Sequence, residues 1–239
     1  WAPTMDRKYD HLEARHGLGY THISTLYKGV RSDLTYFVPT DLPGEIWRVH
    51  LENKGSQTVN LDLFAFAEVL MGNALNDQIN QPNDKHFTNV HFNSKDQVLE
   101  ASRRYWVLNR GVSVAQPNLS WPFELKFFCT QAVSAFDGSL DRFIGRWRSE
   151  SNPITIEKGQ LGNSEITAGD AVMALQTGIS LEPGQNIDLA FIMAIKQTED
   201  SPVEFEAPDE WELSQWNDIK HIDAAFDQLK RSWEERLSG

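Results

Sequence analysis

Seven histidines, one cysteine and 34 acidic side chains are the residues of this 239-residue chain most able to do chemistry by themselves. His86 and His91 stand five apart, His16 and His22 six apart, without cysteine partners, and neither spacing matches a zinc site. Cys129 lies inside Phe127-Phe128-Cys129-Thr130, an apolar strand-like run, which predicts a buried and inert thiol. His16-Gly17-Leu18-Gly19-Tyr20 carries a Gly-x-Gly, but it precedes a strand instead of joining a strand to a helix, so no phosphate-cradling loop is expected. A Gly-x-Ser-x-Gly elbow is absent from the sequence. Carboxylates are plentiful, yet glycoside hydrolysis needs two of them placed across one bond, which the fold and not the spacing decides. Nothing here announces a catalytic centre.

What remains is aromatic and amide content. There are eight tryptophans, several beside polar or charged residues: Trp47-Arg48, Tyr105-Trp106 and Arg146-Trp147-Arg148. Aromatic faces next to amides and charges hold sugars, by stacking on apolar ring faces and bonding hydroxyls. Tryptophans on strands also simply fill a core, and both readings stand. Residues 72–97 form a polar stretch with little periodicity, and within it the nine positions from Asn76 to Asp84 carry five side-chain amides, Asn76, Gln78, Asn80, Gln81 and Asn83. An amide both donates and accepts, which suits neutral sugar hydroxyls.

The elements that must position these groups read as short strands. Tyr20 to Val38 is strand, turn at Lys28-Gly29, strand. Trp47, Val49 and Leu51 alternate with Arg48, His50 and Glu52 up to Asn53-Lys54-Gly55. From Val59 to Val69 the odd positions form one apolar face, while Phe64 and Phe66 on the other predict a strand covered on both sides. Further strand-like segments lie at 98–108, 123–133, 171–181 and 187–195, and Glu182-Pro183-Gly184-Gln185 predicts a hairpin between the last two. Short strands without βαβ alternation predict an all-β antiparallel sandwich over residues 1–198. Residues 199–239 then carry 12 acidic and 4 basic side chains, a net −8 of the chain's −12. Within them Ile222, Ala225, Phe226, Leu229, Trp233 and Leu237 recur at helical spacing, predicting an amphipathic helix of about four turns.

Composition removes several partners. A pI near 5.0 repels phosphate backbones and argues against nucleic acid. No apolar run approaches the roughly 18 residues of a membrane helix. The single cysteine excludes an internal disulfide framework and fits a reducing compartment or simply indifference to redox; the cytoplasm is the expected location. Residue 1 is Trp, with no signal-like segment behind it, and the chain reads as a piece of a longer polypeptide.

Several ordered blocks carry a family resemblance. Trp1-Ala2-Pro3-Thr4, Arg15-His16-Gly17-Leu18-Gly19-Tyr20-Thr21, Thr35-Tyr36-Phe37-Val38-Pro39 and Glu45-Ile46-Trp47-Arg48-Val49 come first. Asp141-Arg142-Phe143-Ile144-Gly145, Arg148-Ser149-Glu150-Ser151-Asn152-Pro153 and the helix containing Ala225, Phe226, Leu229, Lys230 and Trp233 follow. Together they resemble the amino-terminal domain of the glycoside hydrolase family 94 phosphorylases, formerly glycosyltransferase family 36, across essentially the whole chain.

The resemblance implies a galactose-mutarotase-like supersandwich, then linker helices, then an (α/α)6 barrel. In such enzymes inorganic phosphate attacks the anomeric carbon of a β-glucoside with inversion and releases an α-sugar 1-phosphate. The general acid and most phosphate ligands belong to the barrel, so this chain is expected to be a non-catalytic domain, with phosphate as co-substrate of its parent and no other cofactor. The family's amino-terminal domain also commonly makes the homodimer contact and sends a loop to the partner's acceptor subsites. In cellobiose-acting members that loop resembles Asn-Phe-Gln-Arg-Asn. The stretch here is Ile79-Asn80-Gln81-Pro82-Asn83, so Gln81 matches the glutamine while Pro82 replaces the arginine, whose contact is not carried over. The resemblance thus implies Gln78, Asn80, Gln81 and Asn83 as sugar-binding residues, and Gln78–Phe92 looks most like the cellodextrin phosphorylases. Two alternatives remain: the phosphorylase-like region of a cyclic β-1,2-glucan synthase, and a free-standing carbohydrate-binding or assembly domain.

Overall fold

The structure is a computed structural model that describes residues 8–71, 78, 87–107, 116–197 and 213–238. Two antiparallel sheets face each other, and the chain alternates between them. β1 (His11–Gly17), β2 (Tyr20–Tyr27), β3 (Val30–Phe37) and β4 (Gly44–Asn53) form a meander, and β5 (Val59–Glu68) leaves it for the second sheet. β6 (Thr88–Asn93), β7 (Val98–Val107), β8 (Gln116–Ser120) and β9 (Phe123–Cys129) return to the first; β10 (Ala135–Ser139) and β11 (Ala171–Leu181) join the second; β12 (Asn186–Gln197) completes the first. The larger sheet runs β1-β2-β3-β4-β12-β9-β7-β6, with β8 added on β7, and the smaller runs β10-β11-β5.

Local chemistry sets the turns. Lys28 and Gly29 both have positive φ, 49° and 79°, in a two-residue loop between Tyr27 and Val30. That backbone matches the twist of the flanking strands, as hairpins require. β1 adds a hairpin ahead of the predicted pair, so Leu18-Gly19 is a turn between β1 and β2.

The predicted hairpin at Glu182–Gln185 does not form. The turn is there, but β11 pairs with β5 and β10 while β12 pairs with β4 and β9. The turn is therefore an arch between the two sheets, and Asn53-Lys54-Gly55 begins a second arch beside it. Asn53, fully buried, ties both corners together. Its Nδ2 donates to the Leu181 and Gln57 carbonyls at 2.9 and 2.8 Å, and its Oδ1 accepts from the Gly55 N–H at 2.9 Å. A turn sequence reports that the chain reverses; which sheet the next strand enters is decided by what each strand must bury.

The core lies between the sheets, with Leu99, Phe127, Met173, Leu175, Leu181 and Leu189 essentially removed from solvent. Phe64 and Phe66 of β5 point the other way. They pack with the fully buried Phe143 on the far side of the small sheet, beneath α1 (Leu140–Ile144) and α2 (Ile154–Lys158), as the double apolar pattern of that strand predicts.

The outer face of the large sheet is covered by α3 (Ile219–Ser238), longer than the predicted four turns because it begins at Ile219, where the carboxylate of the preceding Asp218 accepts from the Lys220 N–H at 2.9 Å. Ile222, Ala225 and Leu229 pack on Phe37, Ile46, Ala190 and Ile192. Each such large apolar side chain contributes about 1.5–3 kcal/mol on full burial. No helix among the described residues is long and apolar enough to cross a membrane.

Candidate functional site

The amide-rich segment springs from the end of β5 and returns at β6, the edge of the large sheet. At its root Met71 is buried, and its carbonyl accepts from Nη1 of the buried Arg103 on β7. Gln78 is exposed, whereas Asn80, Gln81 and Asn83 lie outside the described residues. The anchoring arginine was not singled out by the sequence: an Arg in a strand reads as a surface charge until its neighbours are known.

A second feature is a cleft of about 800 Å³ between the inner face of β2–β4 and β5. Leu34, Tyr36, Trp47, Leu61 and Leu63 form its walls, and Lys28 and Ser32 contribute polar groups. Trp47 meets Tyr36 and Phe127 edge-on, at centroid distances of 5.8 and 5.3 Å, and its Nε1 donates to Glu45 at 2.6 Å. Burial pushes the Tyr36 phenol up, with Glu45 adding to the effect. With its indole N–H already spoken for, Trp47 acts first as a wall.

The other tryptophans divide clearly. Trp216 is buried, Trp121 packs on the core, and Trp233 lies against Gly19. Trp147 alone among the described tryptophans stands in solvent, 96% exposed. Its φ is +64°, left-handed, on a loop where the Arg148 guanidinium bonds Glu157 and the Asn152 carbonyl. The side chain of Trp106 lies outside those described.

Gly17-Leu18-Gly19 has a structural use. A Cβ on Gly19 would sit 2.6 Å from Trp233 Nε1, and Gly19 has φ +79°. The glycine lets the β1–β2 turn approach α3, a contact that motif reading could not supply.

The titratable groups of the sheets pair among themselves. Arg48 on β4 bonds Asp223 of α3 at 2.5 Å and Asp188 of β12 at 3.0 Å, and His50 contacts Asp188 at 2.8 Å. Although desolvation opposes it, these two carboxylates raise the Arg48 pKa further. Glu100 receives Lys126 at 2.5 Å and His91 at 3.0 Å; burial pushes its pKa up, but the Lys126 ammonium, with a smaller contribution from His91, outweighs that and holds it below the usual value. Burial lifts the Cys129 thiol to about 12, the inert state predicted for it. Among the described residues no group of three or more His, Cys, Asp or Glu could hold a metal.

Such a two-sheet domain, rich in aromatic and amide side chains, agrees with comparison to known families. Residues 1–206 match the supersandwich domain of glycosyl hydrolase 94, and the chain belongs to that family. Over all 239 residues it is 27% identical to an N,N'-diacetylchitobiose phosphorylase of Vibrio furnissii, covering 100% of this chain and 27% of that protein. A solabiose phosphorylase of Paenibacillus borealis is 23% identical over 188 residues, 78% of this chain and 22% of that protein. A cyclic beta-(1,2)-glucan synthase of Rhizobium meliloti is 24% identical over 195 residues, 81% of this chain and 6% of that protein. The chain thus spans about a quarter of the length of the diacetylchitobiose phosphorylases it matches.

Proposed function

We propose that this chain is the amino-terminal, non-catalytic domain of an inverting glycoside phosphorylase. Its parent cleaves a β-linked gluco-oligosaccharide with inorganic phosphate and releases an α-sugar 1-phosphate. The observation that carries the reading is the family match over residues 1–206, together with phosphorylases among the relatives. The domain contributes homodimer contacts, and Gln78, Asn80, Gln81 and Asn83 serve the acceptor sugar through their amides. The cellodextrin preference rests on the resemblance of the Gln78–Phe92 stretch, while the named relatives include phosphorylases of diacetylchitobiose and solabiose.

The test is an assay of phosphate-dependent sugar 1-phosphate release from cellobiose, cellotriose, laminaribiose and diacetylchitobiose. Purified 1–239 is expected to release none and the complete polypeptide to act on at least one. Turnover by the fragment alone would place the chemistry in the sandwich and overturn the reading. The similarity to a cyclic beta-(1,2)-glucan synthase supports a second reading, in which the domain belongs to such a synthase. Membrane spans elsewhere in the same reading frame would favour it.

A further inference from the structure

Trp147 is 96% exposed, on a loop that has no packing use for it. From Leu140 to Lys158 it is the one exposed large apolar side chain, and the exposed residues around it in sequence are Arg146, Ser149, Glu150, Ser151 and Asn152. Its φ of +64° lies in the left-handed region, where a bulky side chain is disfavoured and glycine or asparagine is at ease. The loop around it is nevertheless well fixed. The Gly145 N–H closes α1 on the Asp141 carbonyl at 2.9 Å, and the Asn152 N–H returns to the Ser149 carbonyl at 3.0 Å. The Arg148 guanidinium holds both Glu157 and the Asn152 carbonyl, and Pro153 is buried. A strained, unburied indole is thus carried on a braced base, and backbone strain of that kind gathers at binding sites.

We propose that Trp147 is a stacking surface for a chain of β-linked pyranoses whose ring substituents are equatorial. The sugar class rests on the proposed activity; the stacking rests on the loop. In such a ring the axial positions hold only C–H bonds, so it has two flat apolar faces that match an indole. An α-linkage makes the bond to the next ring axial and crowds one of those faces. The hydroxyls at the ring edge need donors and acceptors, and Arg146, Ser149, Ser151 and Asn152 are exposed on the same loop to supply them. A protein partner favours a different surround, because interface anchors sit at the centre of apolar patches that exclude water. Here the indole stands alone among polar residues. Its fixed, preformed position lowers the ordering cost that a weak sugar contact must overcome.

The test is hydroxyl-radical footprinting of the complete polypeptide, without phosphate so that nothing turns over, read by mass spectrometry at Trp147. The indole should oxidise readily in the free protein. Millimolar cellohexaose or N-acetylchitohexaose, according to which chain it takes, should slow that oxidation about fivefold relative to the rest of the chain. Maltohexaose, an equal scavenger of radicals with α-linkages, should not. In native gels containing hydroxyethylcellulose or glycol chitin, Trp147→Ala should lose retardation that Trp147→Tyr, still carrying a ring, keeps. An indole already protected in the free protein overturns the proposal and makes Trp147 a protein contact. Equal protection by maltohexaose, protection by none of the three, or equal retardation of Trp147→Ala and the unaltered protein also overturns it. None of these readings uses sugar 1-phosphate release, so the phosphorylase reading can fail while this site stands, and the reverse.

Discussion

The two faces of the large sheet contrast sharply. On the outer face, α3 supplies what the strands lack. Ile222 is fully buried, Gly17-Leu18-Gly19 is shaped to the helix, and Arg48 links β4 to Asp223. On the inner face the cover stops at β5, and Leu34, Tyr36, Trp47, Leu61 and Leu63 remain half-buried around a cleft. Among the described residues, burial is complete under the helix and partial around the cleft. Open apolar ground of that kind marks an interaction surface more often than an accident of packing.

The largest test of this contrast is a matched pair of truncations. Ile222→Ala, beneath α3, should cost about 2–5 kcal/mol of stability. Leu61→Ala, in the wall of the cleft, should cost about 1 kcal/mol in the same 1–239 chain, because part of its surface is already in water. Equal losses in urea melts would erase the distinction between the faces.

A backbone change at the helix seat comes next. Gly19→Ala should destabilise by about 1–2 kcal/mol from left-handed strain alone, and contact with Trp233 adds to it. A thermal midpoint unchanged from that of the parent sequence would show that the turn does not hold α3.

Gln81→Ala in the complete polypeptide should weaken acceptor use in the synthetic direction by about 0.5–1.5 kcal/mol, roughly three- to tenfold in kcat/KM. Affinity for phosphate should move much less. Identical constants across a series of acceptors would reduce the segment to a solvated connection.

The smallest effect is electrostatic. Glu100 is held below its ordinary value of 4.5, so its contribution is fully present above that pH and is lost as pH falls through the lower folded value. The pair is partly solvated, and its worth should stay below about 1 kcal/mol. Lys126→Met should therefore lower the midpoint at pH 6 and converge on the unaltered chain in strong acid. A gap that widened on acidification would reverse the sign argued here.

Much of this domain was legible in its residues. Alternation in β4 and β12, the doubled apolar pattern of β5, the Lys28-Gly29 turn and the apolar stripe of α3 all follow from periodicity, because a side chain's direction is fixed by its place along a strand or helix. So was the inert thiol of Cys129, flanked by Phe127, Phe128 and Thr130. Tertiary structure decided the rest. It sent β11 and β12 into different sheets across a turn that reads as a hairpin, because each strand had a different face to bury. It turned a Gly-x-Gly into the seat of Trp233, and it separated a tryptophan that walls a cleft from one that stands in water. Those outcomes depend on partners distant in sequence, and a residue's neighbours along the chain carry no record of which distant surface will exclude water from it.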